Sequence, residues 1–200
     1  MSDLKLVTGE PAELLLDVGE HPVAHKFLPQ QEAQENLYPI KLGMGKSSGL
    51  VGLIEPPDWR ELTPIYSWIH CNEPEDHLDD LASKITDMLN PEASILGLSD
   101  KDRTLLERFE KLGFRQTSLF QHPLLEQAVK PGVEVVQAAI SDGSNSSGRQ
   151  YDLIVGRHIL EHTWQTEAFL KNVVSMLAED GLAVTVSYTH LRAHETPINL

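Results

Sequence analysis

The chain is poor in cysteine and in basic residues, and it has no long apolar run; each shortage removes a class of function. Its 200 residues hold one cysteine, Cys71, which excludes an internal disulfide framework and a cysteine-rich zinc site. Lys and Arg number 16 against 30 Asp and Glu, a formal charge of −14. That balance leaves no basic face for a nucleic-acid groove, and acidity of this kind is read as a solubility feature. No apolar stretch is long enough to span a bilayer, and Met1-Ser2-Asp3-Leu4-Lys5 lacks the basic and apolar regions of a signal peptide. We therefore expect a cytoplasmic protein with neither nucleic acid nor membrane as partner. Apolar residues make up 40% of the chain, enough for a sizeable core in one domain with an appendage, or in two small ones.

What is present is organised around Tyr151 to His162. Tyr151-Asp152-Leu153-Ile154-Val155 reads as a buried strand, Gly156 as a turn, and Arg157 to His162 as the start of a helix. A second helix carries Phe169, Leu170, Val173, Val174 and Leu177 on one face. Thr166 is its expected N-cap and Gly181 its stop, before a strand at Leu182-Ala183-Val184. This is a βαβ unit, whose ligand side is the carboxyl end of its strands.

The block resembles the fourth and fifth strands of class I S-adenosylmethionine-dependent methyltransferases, through Asp152-Leu153-Ile154-Val155 followed by Ile159-Leu160-Glu161-His162. The first half sharpens the likeness. Leu16 to Gly19, Pro22 to Leu28, Tyr38 to Leu42 and Ser48 to Leu53 resemble, in order, the N-terminal module of the sugar C-methyltransferase family, which acts on nucleotide-linked deoxysugars. Alternation over Tyr38 to Leu42 and Gly49 to Ile54 predicts small strands of a hairpin ended by Pro56-Pro57, with Leu62 to Trp68 as a connector. A tyrosine before the linking helix falls on Tyr66. That helix begins at His77, carries Leu78, Leu81, Ile85, Met88 and Leu89 on one stripe, and stops at Asn90-Pro91.

The departures bear on chemistry. The family module holds zinc by two Cys-Xaa-Xaa-Cys pairs, but Gly45 and Ser48 stand at one of them and no cysteine lies near the start. Four thiolates close such a site, so we expect no zinc and a module held by packing alone, with Cys71 a small buried hydrophobe. Ala93 to Leu98 is the expected first strand of the nucleotide-binding sheet. The helix after it has Leu105, Leu106, Phe109 and Leu112 inward and Gly113 closing it. Where the family has an acid and two turn glycines, this chain has Gly97, Ser99 and Arg103. Ser99 and Asp102 either bind a ligand or form a Ser-Xaa-Xaa-Asp capping box. Gln121, after a second strand at Thr117 to Phe120, stands where an acid would hold the ribose hydroxyls. A third strand is expected at Val133 to Val136, followed by Ala138 and Ala139 where an acid near the adenine is common, with Asp142 three residues late. Ser141 to Gly148 reads as a flexible loop.

His158 and His162 are four apart on the expected helix, a spacing that could serve a metal; no third ligand is evident, and we expect none. Arg157 and His158 come directly after the fourth strand and could touch cofactor or substrate. The resemblance thus implies S-adenosylmethionine as cofactor, with Gly97, Ser99, Asp102, Gln121, Arg157 and His158 near it, and Tyr66 and His158 as candidates for catalysis. A general base must reach the proton of the carbon that is methylated.

Val186 to Thr196 reads as a translated transposase end sequence of the kind used in sequencing libraries, so natural sequence is expected to end near Val184. His190, His194 and Glu195 then carry no chemistry. The expected organisation is an N-terminal module over 1–70, a linking helix over 71–91, a truncated Rossmann-like methyltransferase domain over 92–185, and adapter over 186–200. The fold class is α/β, a truncated methyltransferase sheet of about five strands preceded by a small β-rich module. The expected function is that of a nucleotide-sugar C-methyltransferase relative in deoxysugar or polysaccharide synthesis. The alternative is a degenerate, non-catalytic protein on the same scaffold, acting as a binding or assembly subunit.

Overall fold

The computed structural model describes residues 4–23, 35–63, 75–127, 132–143 and 148–187. It is a mixed α/β chain with a three-stranded antiparallel sheet first and a four-stranded parallel sheet after it. Contacts divide it into two compact units: 1–73 with 122–144 and 163–172, and 74–121 with 145–162 and 173–200.

In the first unit, β1 (Ala12–Pro22), β2 (Leu37–Gly45) and β3 (Val51–Ile54) lie in that order. The expected hairpin is β2–β3, with Met44 opposite Val51 and Lys41 opposite Ile54. Leu6, Ala12 and Ile54 form its small core. Trp59–Leu62 then make a single 3-10 turn, opened by the Asp58 carboxylate, which accepts the Arg60 N–H. Tyr66 and Cys71, and the connector beyond Thr63, lie outside the described residues. The unit also takes in α3 (Pro123–Gln127) and α4 (Val133–Ser141). The strand expected at Val133–Val136 is thus a helix. A run of four apolar residues has no decisive period. The longer window does, since Val135 and Ala139, and Val136 and Ile140, are buried at spacings of four. Ala138, Ala139 and Asp142 consequently stand on or at the end of a helix rather than at the edge of a sheet.

In the second unit, β4 (Ser94–Gly97), β5 (Gln116–Leu119), β6 (Tyr151–Arg157) and β7 (Leu177–Val186) form a parallel sheet in the order β5-β4-β6-β7. Four strands are described where about five were expected. Helices α1 (His77–Thr86) and α2 (Arg103–Lys111) pack their apolar stripes on it: Leu78, Ala82, Ile85, Leu105, Leu106 and Phe109 share one core with Ile95, Leu153 and Val155. Gly113 closes α2 at φ 105, as its sequence predicts. Leu112 and Met88, expected inward, are exposed, because each helix ends before reaching them.

The signature block also differs in detail. Gly156 and Arg157 are inside β6, and the chain turns at His158, whose φ is 51. Beyond the turn stands one 3-10 turn, Leu160–His162, in place of the expected helix. Helix α5 spans Thr166–Ser175, and its fourth residue, Phe169, donates its N–H to the Gln165 carbonyl. Gly181 is no helix stop; it sits within β7, where the register shifts between Tyr151 and Leu153. A Cβ there would lie 2.8 Å from the Tyr151 carbonyl oxygen, so close approach of two backbones, rather than a helix end, requires this glycine.

Candidate functional site

From β4 the chain crosses through α2 to β5 on one side; β6 lies on the other, and its crossover through α5 runs onward to β7. The strand order therefore reverses between β4 and β6, and the carboxyl ends of those strands form the crevice where parallel sheets of this kind hold ligands. Pairing runs Ile95 to Leu153, Leu96 to Ile154 and Gly97 to Val155. Beyond it, the Leu98 N–H donates to the Val155 carbonyl at 2.9 Å. The crevice is thus edged by Gly97, Leu98 and Ser99 from one strand, and by Arg157 and His158 from the other.

Side chains of the unit itself occupy this edge. Asp102, fully buried, accepts the Ser99 N–H at 2.8 Å and the Ser99 hydroxyl at 3.3 Å on Oδ2, and the Arg157 N–H at 2.8 Å on Oδ1. One carboxylate thereby ties the β4 turn to the end of β6. Of the two roles open to Ser99 and Asp102, this is the reciprocal half of a capping box, extended across the sheet. Burial pushes the Asp102 carboxyl up to about 6, outweighing the N–H groups of Ser99 and Arg157 and the Arg157 charge, which pull it down. At Gly97 the room for a side chain is taken. A Cβ would meet Asp102 Cβ at 2.9 Å, Leu119 Cδ2 at 3.0 Å and Leu106 Cδ1 at 3.1 Å. The acidic side chain found here in the resembled family has no space in this packing.

Arg157 is turned inward, its side chain 2% exposed. Its Nη1 donates to Lys101 O at 2.8 Å, Glu75 Oε1 at 3.0 Å and Thr104 Oγ1 at 3.1 Å. Glu75 also accepts the Thr104 hydroxyl at 2.8 Å and lies 3.5 Å from Arg108. Burial pushes the Glu75 carboxyl up, but the Thr104 hydroxyl, the Arg157 hydrogen bond and the two guanidinium charges outweigh it and leave it below the usual carboxylate range. Sequence reasoning misses Glu75 and Thr104 in this role. Glu75 is 82 residues from Arg157, and no local pattern announces a pair at that separation.

The other expected residues are distributed along the same edge. Gln121 is exposed just past β5, with a long contact of 3.5 Å from its amide to the Leu119 carbonyl. His158 is largely buried, and its Nδ1 lies 3.4 Å from Glu161 Oε1. His158 and His162 do not share a helix face, since one is in the left-handed region and the other closes a 3-10 turn. Among the described residues, no three His, Cys, Asp or Glu side chains are grouped to hold a metal. Arg103 is exposed and paired with Asp100 at 2.7 Å.

Asp152 of the signature strand lies at the opposite end of the sheet. Its Oδ2 accepts the Ser94 N–H and the Ser94 hydroxyl, both at 2.7 Å, and these bonds, led by the N–H, hold its carboxyl below the usual range. In the first unit, Glu10 reaches the turn that carries Gly45 and Ser48. Its carboxylate accepts the N–H and hydroxyl groups of Ser47 and Ser48 at 2.6–2.9 Å. The two hydroxyls, then the two N–H groups, lower it to about 2. A Cβ on Gly45 would come within 2.4 Å of Glu10 Oε2. The hairpin is therefore clasped by a carboxylate, where packing alone was expected.

No protein-family model matches the chain, and a search of curated proteins finds no match. The polar groups around the crevice permit a test of fit for S-adenosylmethionine. Asp102 accepts from the Ser99 turn and from the Arg157 backbone, and the volume beside Gly97 is filled, while the Arg157 Nε is buried without a hydrogen-bond partner among the described residues.

Proposed function

We propose that the chain descends from class I S-adenosylmethionine-dependent methyltransferases, from the branch that methylates nucleotide-linked sugars. We propose further that it now serves as a non-catalytic binding or assembly subunit on that scaffold. The descent draws on the ordered motifs from Leu16 to His162 and on the parallel β4–β6 pair that carries two of them. The loss of catalysis rests on one observation, the Asp102 carboxylate joining the Ser99 turn to Arg157 across the crevice. Opening that joint for a ligand exposes a buried carboxylate and two N–H groups that must all find new partners.

A second reading, an active sugar C-methyltransferase, has its own support: the strand-order reversal between β4 and β6, with Gln121 and His158 at its edge. Calorimetric titration with S-adenosylmethionine and S-adenosylhomocysteine separates the two. The non-catalytic reading expects no saturable heat at millimolar ligand. Saturable binding of either compound overturns it in favour of the active enzyme, with a nucleotide-linked sugar as substrate.

A further inference from the structure

The three-stranded sheet of the first unit has two unlike faces. Residues paired across neighbouring strands point to the same face, and residues along a strand alternate. One face carries Ile54, which packs with Leu6 and Ala12. The other carries Leu16, Leu42 and Leu53 in a row across the three strands, and Met44 beside Val51 in the next row. Ile40, two residues before Leu42 on β2, extends it. Leu16, Ile40, Met44, Val51 and Leu53 are 37–55% exposed, and Leu42 is half-buried. Polar groups bound this patch: Glu13 opposite Met44 at one end, and His21 opposite Tyr38 at the other. The Tyr38 hydroxyl donates to Glu61 Oε2 at 2.7 Å. Between those ends the paired positions of the face hold apolar residues and Gly19 alone. An apolar centre with a polar rim is the anatomy of a protein interface.

Edge, area and charge narrow the occupant. Addition of a further strand to β1 is hindered by its register shifts at Leu14/Leu16 and Asp17/Gly19 and by Glu13, Asp17 and Glu20 along it, since bulges and charges protect sheet edges. The face has no such protection. At roughly 80 Å² for each half-exposed side chain it leaves about 400 Å² of apolar surface open, a size that marks interaction sites. Two such faces pressed together remove about 800 Å² of apolar area. With the polar third of a homodimer interface the total is about 1,200 Å², the lower end of specific, stable interfaces. A twofold axis along β2 lays Leu42 and Met44 over their own counterparts and Leu16 over the partner subunit's Leu53, so apolar rows meet apolar rows. A charged partner finds nothing to pair with at these uncharged positions. We propose that this face joins two copies of the chain in a twofold dimer. The proposal goes beyond the reading of the crevice and does not rest on it, since that crevice belongs to the second unit.

Sedimentation equilibrium of the whole chain is the test, from about 5 to about 500 μM, a span suited to a dimer of micromolar affinity. A monomer–dimer equilibrium is expected. It tightens between about 0.15 and about 0.5 M sodium chloride, because salt screens the repulsion of two chains that each carry a formal charge of −14. Val51→Glu and Leu16→Glu each place two carboxylates in the joint and weaken it by about tenfold or more. Leu112→Glu, at an exposed position of the second unit, leaves it unchanged. Far-UV circular dichroism checks that each variant folds. Val51 and Leu16 are both about half exposed, so either variant decides the matter if the other does not fold. A monomer at every concentration, open-ended association, or a dimer that salt weakens overturns the proposal. So does a dimer that both face variants leave intact, or that Leu112→Glu weakens equally. A monomer that binds anilinonaphthalene sulfonate, with the binding lost in Val51→Glu, also overturns it and assigns the face to a partner other than this chain.

Discussion

Replacing Glu75 by Gln tests whether the inward Arg157 is held by charge or by packing. The guanidinium is 2% exposed and its carboxylate partner 29% exposed, 3.0 Å away. At an effective dielectric of about 20, that separation corresponds to an attraction of about 5 kcal/mol. Part of it only offsets the cost of burying the ions, and Gln keeps an oxygen that can accept. Lys101 O and Thr104 Oγ1 also remain. We expect Glu75→Gln to cost about 2 kcal/mol and Glu75→Ala about 3 kcal/mol, because both leave a buried cation without its counter-charge. Arg157→Met should cost less, about 1 kcal/mol, since Glu75 keeps Thr104, Arg108 and some contact with water. The double variant Glu75→Gln, Arg157→Met should then be more stable than Glu75→Gln alone. Urea unfolding monitored by far-UV circular dichroism at neutral pH reads wild type and all four variants. The reasoning is refuted if Arg157→Met proves the costlier single change, or if the double variant is the least stable.

Three further outcomes rest on the same geometry. Asp102 has its carboxyl raised to about 6, so the folded chain holds a proton that the unfolded one has released. Its contribution therefore falls as pH rises from about 4 to about 6, by roughly 3 kcal/mol, and is level above that. Stability-against-pH curves of wild type and Asp102→Asn should diverge across that window and run parallel above it. Gly97→Ala, forced against Asp102, Leu119 and Leu106, should destabilise by about 1–3 kcal/mol in the same urea assay; a neutral effect would mean that the strand end is roomier than its neighbours indicate. Glu10, lowered to about 2, contributes above the ordinary carboxylate range and loses its contribution as pH falls from about 4.5 towards 2. Protection of the Ser47 and Ser48 amides, taken relative to intrinsic exchange at each pH, should fall on that descent, and should be lower in Glu10→Gln above it.

Features set by short-range pattern are readable directly. Ile95-Leu96 and Leu153-Ile154-Val155 are apolar runs of strand length, Gly113 comes after an amphipathic stripe, and the β2–β3 hairpin alternates. Each carries its signal within a few residues. Sequence and structure part where the deciding contact lies elsewhere. Val133 to Val136 reads as a strand because four apolar residues fit either period; burial of Ala139 and Ile140 decides for helix. Gly156 and Gly181 read as breakers, yet both are spaces left for neighbours: Leu98 Cδ1 lies 3.0 Å from a Cβ built at Gly156, and the Tyr151 carbonyl 2.8 Å from one at Gly181. The candidate site is legible as a location, the ends of β4 and β6. Its state is not. The resemblance puts Asp102 and Arg157 near a cofactor, but the Arg157 backbone is bonded to Asp102 and its side chain to Glu75, 55 and 82 residues distant along the chain.

The bond between Asp152 and Ser94 spans 58 residues, and that interval sets a timetable for synthesis. β4 gains β5 early, but its other edge stays open while α3 and α4 leave the ribosome. Only when β6 emerges do Ile95 and Leu96 gain their second neighbour and the Ser94 N–H its acceptor. A nascent chain stalled before Tyr151 therefore presents an unpaired, apolar strand edge, the form most exposed to association with other chains.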